Sequence, residues 1–359
     1  MPMVFLAAWT FFGLAIIDLF INFVFAYPSD PKITNPSRLQ QYFEYGRSAE
    51  GQLSRMTRQN RSETAPITLA GWYDSISPVE GPSKPNSFIV TFYGASHTVK
   101  LAQALGRVSN QFSPRSIGAP GATPNWSYGA YLRDRGGGKS RAVVLAFNSN
   151  NLAMISSLSP MIWSGDFPTA YTADRFYLQG DQLKAIHPPY TSFEQYVKTF
   201  YDPSAWSAAL AFFAKNDPLY SPFRVRANIL DDSALCRLFR RSYATQQNRE
   251  REKAVLDKSG FSPDSDEIRV ALAIIHEFAK QARGDGMIPV IYLVNNLGYS
   301  DNLFRALQPI LEADKIPYLS SHTIVSPNDP RNYLPDSHFT DENDDRLAAA
   351  LVEVIENAR

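Results

Sequence analysis

Short β-rich runs alternate with amphipathic segments from Ser87 to the end of the chain, and this alternation restricts the fold more than any other feature. Strands that alternate with helices favour a parallel sheet with helices on both faces. The sequence therefore predicts a three-layer α/β/α domain with a mainly parallel sheet over residues 87–359. The predicted strands are Phe88–Tyr93, Ala142–Phe147, Ile288–Val294 and Pro317–Leu319, and the predicted helices are Val99–Val108, Ser265–Arg283, Leu303–Ala313 and Asp341–Asn357.

A long segment, about residues 152–264, exceeds what such a core needs. It is rich in aromatic residues, among them Tyr190, Tyr196 and Trp206. We predict a helical insertion in which these rings form a small core. In the alternative, some of the rings form a wall over the functional site and stack on sugar rings.

Residues 1–27 form a separate apolar unit without Lys or Arg, interrupted only by Asp18 and Asn22 among strongly polar residues. The unit is long enough to cross a bilayer as a helix, and we expect an uncleaved, single-pass membrane anchor. A signal peptide cleaved after Val24-Phe25-Ala26 and a buried soluble helix are the alternatives. Because a carboxylate is unfavourable in lipid, Asp18 suggests a membrane-protein partner.

Residues 28–86 are predicted to be a membrane-proximal segment and connector. Residues 38–56 show the pattern of one amphipathic helix, and Pro78, Pro82 and Pro85 indicate an extended connector. The basic residues Lys32, Arg38 and Arg47 follow the apolar unit, which by the positive-inside rule keeps the domain in the cytoplasm. Large domains cross membranes largely regardless of charge, so this rule alone does not decide the side.

The charge balance gives no sign of a nucleic-acid partner, since the formal net charge is zero and the pI is near 7.0. No Cys/His cluster has metal-ligand spacing, and the run at residues 136–139 lacks the spacing of a phosphate-binding loop. We therefore expect neither a metal nor a cofactor. Cys236 is the single cysteine and cannot form an intramolecular disulfide.

Three residues can supply a nucleophile, a base and a residue that orients the base. Ser96 follows the first predicted strand, at the sheet edge where open α/β sheets bind ligands. His338 can take the proton of the Ser96 hydroxyl, and Asp336 can hold the His338 tautomer. The order along the chain is Ser, Asp, His.

Structural roles also explain these residues. Ser96 by itself fits a turn or a helix cap, and Thr340 fits the N-cap of the last helix. His97 adjoins Ser96 and can shape the pocket, and His322, which also follows a predicted strand, is the main competitor of His338 as the base.

In this order of residues the chain resembles the SGNH (GDSL-like) hydrolase superfamily, and the Asp336-x-His338-x-Thr340 form is similar to that of its alginate-acetylating members. The resemblance implies a flavodoxin-like sheet and an oxyanion hole. Gly121 would supply one N–H of that hole, and Asn148 or, as second choice, Asn150 would supply a side-chain amide. It also favours a domain on the periplasmic (extracytoplasmic) side.

The resemblance implies a membrane-anchored serine esterase or O-acyltransferase that acts on acetyl groups of an envelope or exported polysaccharide. A lipid or thioester hydrolase is a further hypothesis for the function. The alternative from another class is a non-catalytic glycan-binding or scaffolding protein with the same fold. Ala95, at the position of the usual Gly-Asp-Ser aspartate, favours this alternative.

Overall fold

A computed structural model of the chain describes residues 2–28, 36–59, 70–75, 78–81, 84–135, 140–164 and 169–358. Lys32, Pro82 and the run at residues 136–139 lie outside this part. In chain order the helices are α1 (Pro2–Val24), α2 (Arg38–Glu44), α3 (Ala49–Gln59), α4 (Ser96–Val108), α5 (Pro124–Asp134), α6 (Pro160–Trp163), α7 (Phe193–Tyr201), α8 (Pro203–Asn216), α9 (Pro222–Val225), α10 (Ala234–Val255), α11 (Asp266–Gly284), α12 (Asn302–Ala313) and α13 (Asp341–Asn357).

Six strands form a mixed, mostly parallel sheet in the order β1-β3-β2-β4-β9-β10. β1 pairs with β3 in the antiparallel direction, and the other neighbours are parallel. The remaining strands form two small antiparallel hairpins, β5-β6 and β7-β8. The strands are β1 (Val79–Glu80), β2 (Phe88–Gly94), β3 (Phe112–Gly118), β4 (Ala142–Asn148), β5 (Arg175–Gln179), β6 (Gln182–Ile186), β7 (Leu256–Asp257), β8 (Gly260–Phe261), β9 (Ile288–Val294) and β10 (Tyr318–Ser320).

The chain divides into two compact units. The first unit comprises Met1–Thr68, Ser159–Ala170 and Val197–Glu250. The second unit comprises Leu69–Leu158, Tyr171–Tyr196 and Arg251–Arg359, and it contains the sheet.

Alternation along the strands explains why helices cover both faces of the sheet. Phe92 and Val144 point to the face where Leu101 of α4 and Leu351 of α13 complete one apolar core. Tyr93 packs against Tyr131 of α5, and Tyr131 packs in turn against Phe278 of α11. The prediction of an α/β fold with a mainly parallel sheet is therefore confirmed.

Outside residues 152–264, the sequence prediction missed two strands of the sheet, β1 and β3, and the helix α5. β3 contains Ser113, Pro114 and Ser116, which give it no continuous apolar run, but Ser113 and Ser116 are buried in the sheet. In β3, Arg115 forms an ion pair with Asp134 at the end of α5. The position of β3 in the sheet therefore depends on tertiary contacts more than on strand propensity.

Residues 38–56 do not form the single helix expected from their pattern. α2 and α3 are separated by a turn at residues 45–48, where the N–H and hydroxyl of Ser48 both donate to the buried Asp231, at 2.8 and 2.6 Å. Asp231 also pairs with Arg240. These buried contacts stabilise a break that the amphipathic pattern could not reveal.

α1 is the one helix of the described residues that is long and apolar enough to cross a membrane, and none of its most apolar stretch is buried. This exposure contradicts the buried soluble helix. Asp18 accepts hydrogen bonds from the Ser233 hydroxyl and the Leu235 N–H, so its carboxylate is satisfied within the chain. Asp18 therefore does not require a membrane-protein partner.

Several aromatic residues in the range 152–264 are buried in cores, among them Tyr190, Tyr196, Trp206 and Phe213, whereas Tyr201 and Phe239 are 49% and 66% exposed. A buried ring cannot also stack on a sugar, so the core explanation accounts for the buried rings.

Candidate active site

Ser96 lies at the junction of β2 and α4, where Ala95 precedes the first helical turn. A side chain at Gly94, the last residue of β2, would overlap Thr98 and Ala146. The close approach of the first turn of α4 to the sheet therefore requires glycine at this position. Ser96 itself is half-buried at the carboxyl end of the strand.

His338 reaches Ser96 across the site. Its Nε2 lies 2.6 Å from Ser96 Oγ, which is a short hydrogen-bond distance. With the proton of the imidazole on Nδ1, Nε2 accepts the hydroxyl proton of Ser96. The two residues are 242 positions apart in the sequence, so the fold alone brings them together.

Asp336 contacts the other side of the same imidazole. Its Oδ2 lies 3.0 Å from His338 Nδ1, and its Oδ1 accepts the backbone N–H of His338 at 3.2 Å. The Nδ1 contact has ion-pair distance but lacks hydrogen-bond alignment. The side chain of Asp336 is 64% exposed, and the neighbouring His338 lowers the pKa of the carboxyl.

The loop that carries Asp336 and His338 is held at both ends. The Leu334 N–H donates to the His338 carbonyl at 2.7 Å, and Phe339 is buried in the core beneath the loop. Thr340 Oγ1 accepts the Asn343 N–H at 3.4 Å as the N-cap of α13, so its capping role is confirmed. Between Asp336 and His338, Ser337 has a φ of 69°, which non-glycine residues rarely adopt.

His97 supports this loop from below. Its Nε2 lies 3.2 Å from the Ser337 carbonyl, and its ring lies 4.8 Å from that of His338 and 5.2 Å from that of Phe339. Burial, with a smaller contribution from His338, lowers the pKa of His97 to about 4. His97 is therefore neutral near pH 7 and can donate from Nε2 to the Ser337 carbonyl.

The other histidines are engaged elsewhere. His322 Nδ1 lies 2.7 Å from Ser320 Oγ, and its ring packs on Phe304. His187 pairs with Asp174, and His276 pairs with Asp314. Of the two predicted bases, His338 is therefore the one that the fold brings to Ser96.

The predicted oxyanion residues lie at or after the carboxyl ends of β3 and β4, the two strands that adjoin β2. Tyr93 lies opposite Leu145 of β4, so Ser96 and Asn148 each follow this pair by three residues. Gly94 lies opposite Gly118 of β3, and Gly121 follows in an exposed turn with a φ of 64°. All three segments leave the sheet at one edge because their strands are parallel.

The structure distinguishes the two candidate asparagines. Asn148 is buried, and its side-chain amide makes no hydrogen bond to the part of the chain that is described. Asn150 is exposed, and its backbone N–H donates to Asn296 Oδ1 at 3.2 Å. Asn148 therefore has the better environment for donating to a developing oxyanion, which favours the first choice.

Asn296 and Asn151 escaped the sequence reasoning. Asn296 Oδ1 accepts a hydrogen bond from the Ser149 hydroxyl at 3.1 Å, and the backbone N–H of Asn296 donates to Ser149 Oγ at 2.9 Å. Asn151 Nδ2 donates to the Ala122 carbonyl at 2.8 Å. These bonds connect the turn after β4 to the end of β9 and to the loop of Gly121. The Asn295-Asn296 pair directly after an apolar strand was the available sequence signal.

The backbone at Ser96 contributes positive potential to the site. As the first residue of α4, Ser96 has an N–H without an acceptor inside the helix, and the helix dipole adds partial positive charge there. Within the described ranges no group of three His, Cys, Asp or Glu side chains could hold a metal ion. The arrangement can activate a hydroxyl nucleophile next to donors suited to an oxyanion.

Comparison of the chain with protein-family models and with curated proteins gave no match.

Proposed function

We propose that this chain is an SGNH-like serine esterase or O-acyltransferase. The observation that carries the proposal is the 2.6 Å contact between Ser96 Oγ and His338 Nε2 at the carboxyl end of β2. Ser96 is the nucleophile, His338 the general base and acid, and Asp336 the residue that orients His338.

The first half-reaction transfers an acyl group to Ser96. Ser96 Oγ attacks the ester carbonyl carbon while His338 Nε2 takes the hydroxyl proton, and the carbonyl oxygen becomes an oxyanion. The N–H groups of Ser96 and Gly121 and the amide of Asn148 stabilise this charge. The ester bond then breaks, and protonated His338 returns the proton to the leaving alkoxide. The products are an acyl-enzyme and a free hydroxyl compound.

The second half-reaction decides between hydrolysis and transfer. His338 deprotonates an incoming hydroxyl, whose oxygen attacks the acyl-enzyme carbonyl. The bond to Ser96 Oγ then breaks, and protonated His338 returns the proton to Ser96 Oγ. Water as the incoming group gives a carboxylic acid and an esterase, whereas a sugar hydroxyl gives a new ester and an acyltransferase. Both outcomes use the same residues.

The proposed acyl group is acetyl, carried by an envelope or exported polysaccharide. The support is the similarity of the Asp336-x-His338-x-Thr340 form to alginate-acetylating enzymes. α1 supports a site near a membrane, and we place the domain on the periplasmic side. The contacts of Asp18 and Asn22 with residues 232–237 favour a helix that is retained, because cleavage would remove them.

The test is the release of acetate from acetylated polysaccharides by the purified full chain, compared with transfer of acetyl from an activated acetyl ester to unacetylated polysaccharide. Wild-type protein is expected to show one of these activities, and Ser96→Ala is expected to lose it. Full activity in folded Ser96→Ala protein would contradict the proposal.

The second candidate is a non-catalytic glycan-binding protein. The exposure of Asp336 and the poor alignment of its contact with His338 favour it, because a working triad usually buries this carboxylate. This candidate predicts that Ser96→Ala binds polysaccharide as well as the wild type does, with no turnover in either protein.

A further inference from the structure

The C-terminal half of α1 is fastened to the turn that precedes α10. Asp18 Oδ1 accepts the Ser233 hydroxyl at 2.9 Å and the Leu235 N–H at 2.8 Å. One turn further along α1, Asn22 Nδ2 donates to the Asp232 carbonyl at 3.1 Å. Arg237 of α10 donates to Asn22 Oδ1 at 2.8 Å. All these groups belong to the first unit.

α2 adjoins the end of the same helix. Gln40 Nε2 donates to the Ala26 carbonyl at 2.8 Å, and the rings of Phe25 and Phe43 stack with centroids 5.5 Å apart. Thus two segments of the first unit contact this part of the chain, the turn before α10 at Asp18 and Asn22 of α1 and α2 at Phe25 and Ala26 directly after it.

Both segments expose large apolar side chains beside these contacts. Leu39 and Tyr42 of α2 are 53% and 47% exposed, and Ile229 and Leu230 of the turn are 83% and 38% exposed. Leu39 and Tyr42 are three residues apart, so they share one face of α2. We call these four side chains the apolar collar.

The position of Asp18 fixes the depth of the collar along α1. The candidate span, Met3–Val24, includes both Asp18 and Asn22. Its 22 residues rise about 33 Å, close to the roughly 30 Å of a bilayer's hydrocarbon core. Leu19, Phe20 and Phe23, beyond Asp18, are also exposed, so the apolar surface continues past Asp18. A helix inserted to the full depth therefore brings the segments that contact Asp18 and Asn22 down to the membrane surface.

We propose that the apolar collar is immersed in the interfacial lipid of the bilayer that α1 crosses. Burial of α1 alone leaves these side chains in water beside the headgroups, whereas immersion removes them from water and lengthens the apolar part of the molecule. The guanidinium of Arg241 lies 4.1 Å from the Tyr42 ring, which suits a basic group at the level of lipid phosphates above an interfacial tyrosine. Immersion of the collar in lipid does not depend on the chemistry proposed for Ser96.

The test uses the full chain in phospholipid vesicles, with single cysteines labelled by an environment-sensitive fluorophore. Cys236→Ser removes the native thiol, and Leu39→Cys and Ile229→Cys place the label in the collar. Arg249→Cys is the matched control, because it is exposed on α10 about 21 Å along the helix from Leu235. Spin-labelled lipids quench the label from the headgroup region or from deep in the acyl chains.

Both collar labels are expected to emit at shorter wavelength than the Arg249 label. They should also be quenched several-fold more strongly by the shallow spin label than by the deep one. Emission typical of water with no lipid quenching would overturn the proposal. A blue shift without lipid quenching would overturn it as well, since it would show that protein covers the collar.

Discussion

The rings of His97 and His338 lie 4.8 Å apart, yet they have different partners. His338 Nε2 contacts the Ser96 hydroxyl, whereas His97 Nε2 contacts the Ser337 carbonyl. Burial keeps His97 neutral, with its pKa lowered to about 4. His97 therefore acts as a support for the loop that carries the base.

Loss of the hydrogen bond from His97 should slow catalysis by displacing the loop that carries His338. In His97→Phe the ring packing on Phe339 is retained, but the hydrogen bond to the Ser337 carbonyl is lost. We expect kcat to fall about tenfold with little change in KM, since small displacements of a catalytic group reduce the rate strongly. His97→Gln, which keeps an amide donor, should recover part of the loss. Steady-state kinetics check this, and wild-type kcat in His97→Phe would contradict it.

His97 also predicts a pH dependence of stability. In the unfolded chain a histidine has a pKa near 6.5, whereas that of folded His97 is about 4, so the unfolded state binds more protons between these values. His97 therefore stabilises the fold fully above about pH 6.5, and this contribution, at most about 3 kcal/mol, is lost as the pH falls toward 4.

The measurement is the thermal midpoint of His97→Phe minus that of wild type across this pH range. The difference should move in favour of the variant as the pH falls. Burial raises the pKa of Asp344 to about 7, so this residue makes the stability of the fold decrease as the pH rises, opposite to the effect of His97. Asp344 is present in both proteins, so the difference between them isolates the effect of His97. A difference that does not vary with pH would contradict the burial of a neutral His97.

Asp336 should contribute less to kcat than the aspartate of a buried triad does. Its carboxylate is exposed and poorly aligned with His338 Nδ1, so water screens the interaction. We expect Asp336→Asn to reduce kcat roughly tenfold to a hundredfold, against about 10⁴-fold where the aspartate is buried. His338→Ala should cost at least about 10³-fold. Equal losses in the two variants would show that the carboxylate becomes buried during the reaction.

The left-handed backbone at Ser337 should tolerate glycine and reject a β-branched residue. Its φ is 69°, and the residue lies between Asp336 and His338. Ser337→Gly is expected to keep near wild-type activity, because glycine adopts this conformation readily. Ser337→Val is expected to lose activity by moving His338 away from Ser96. Circular dichroism serves as the folding control, and active Ser337→Val protein would exclude this strain argument.

The sequence was sufficient to predict the helices and strands that have a clear pattern of apolar residues. The predicted strand Ile288–Val294 and helix Asp341–Asn357 have the same bounds in the structure, because a continuous apolar run defines the strand and an N-cap threonine marks the start of the helix. The meeting of Ser96 with His338 was predicted from the order of motifs and is seen in the structure. The catalytic role of Ser96 and His338 stays a prediction.

Features that depend on distant contacts could not be predicted from the sequence. The break between α2 and α3 depends on Asp231, which is 183 residues away from Ser48. The partners of Asp18 likewise lie more than 200 residues along the chain. The hydrogen bond between Ser149, which follows Asn148, and Asn296 likewise forms only when β4 and β9 pair. Local patterns carry no information about such pairings.

The most direct test of an active Ser96 is covalent labelling of the full chain with a fluorophosphonate, read by peptide mass spectrometry. Ser96→Ala and His338→Ala are the active-site variants, and Ser204→Ala, at an exposed helix start, is the control. We expect one adduct on Ser96 that persists in Ser204→Ala and disappears in His338→Ala. Folded wild-type protein without an adduct, or an adduct on Ser96 that does not need His338, would contradict it.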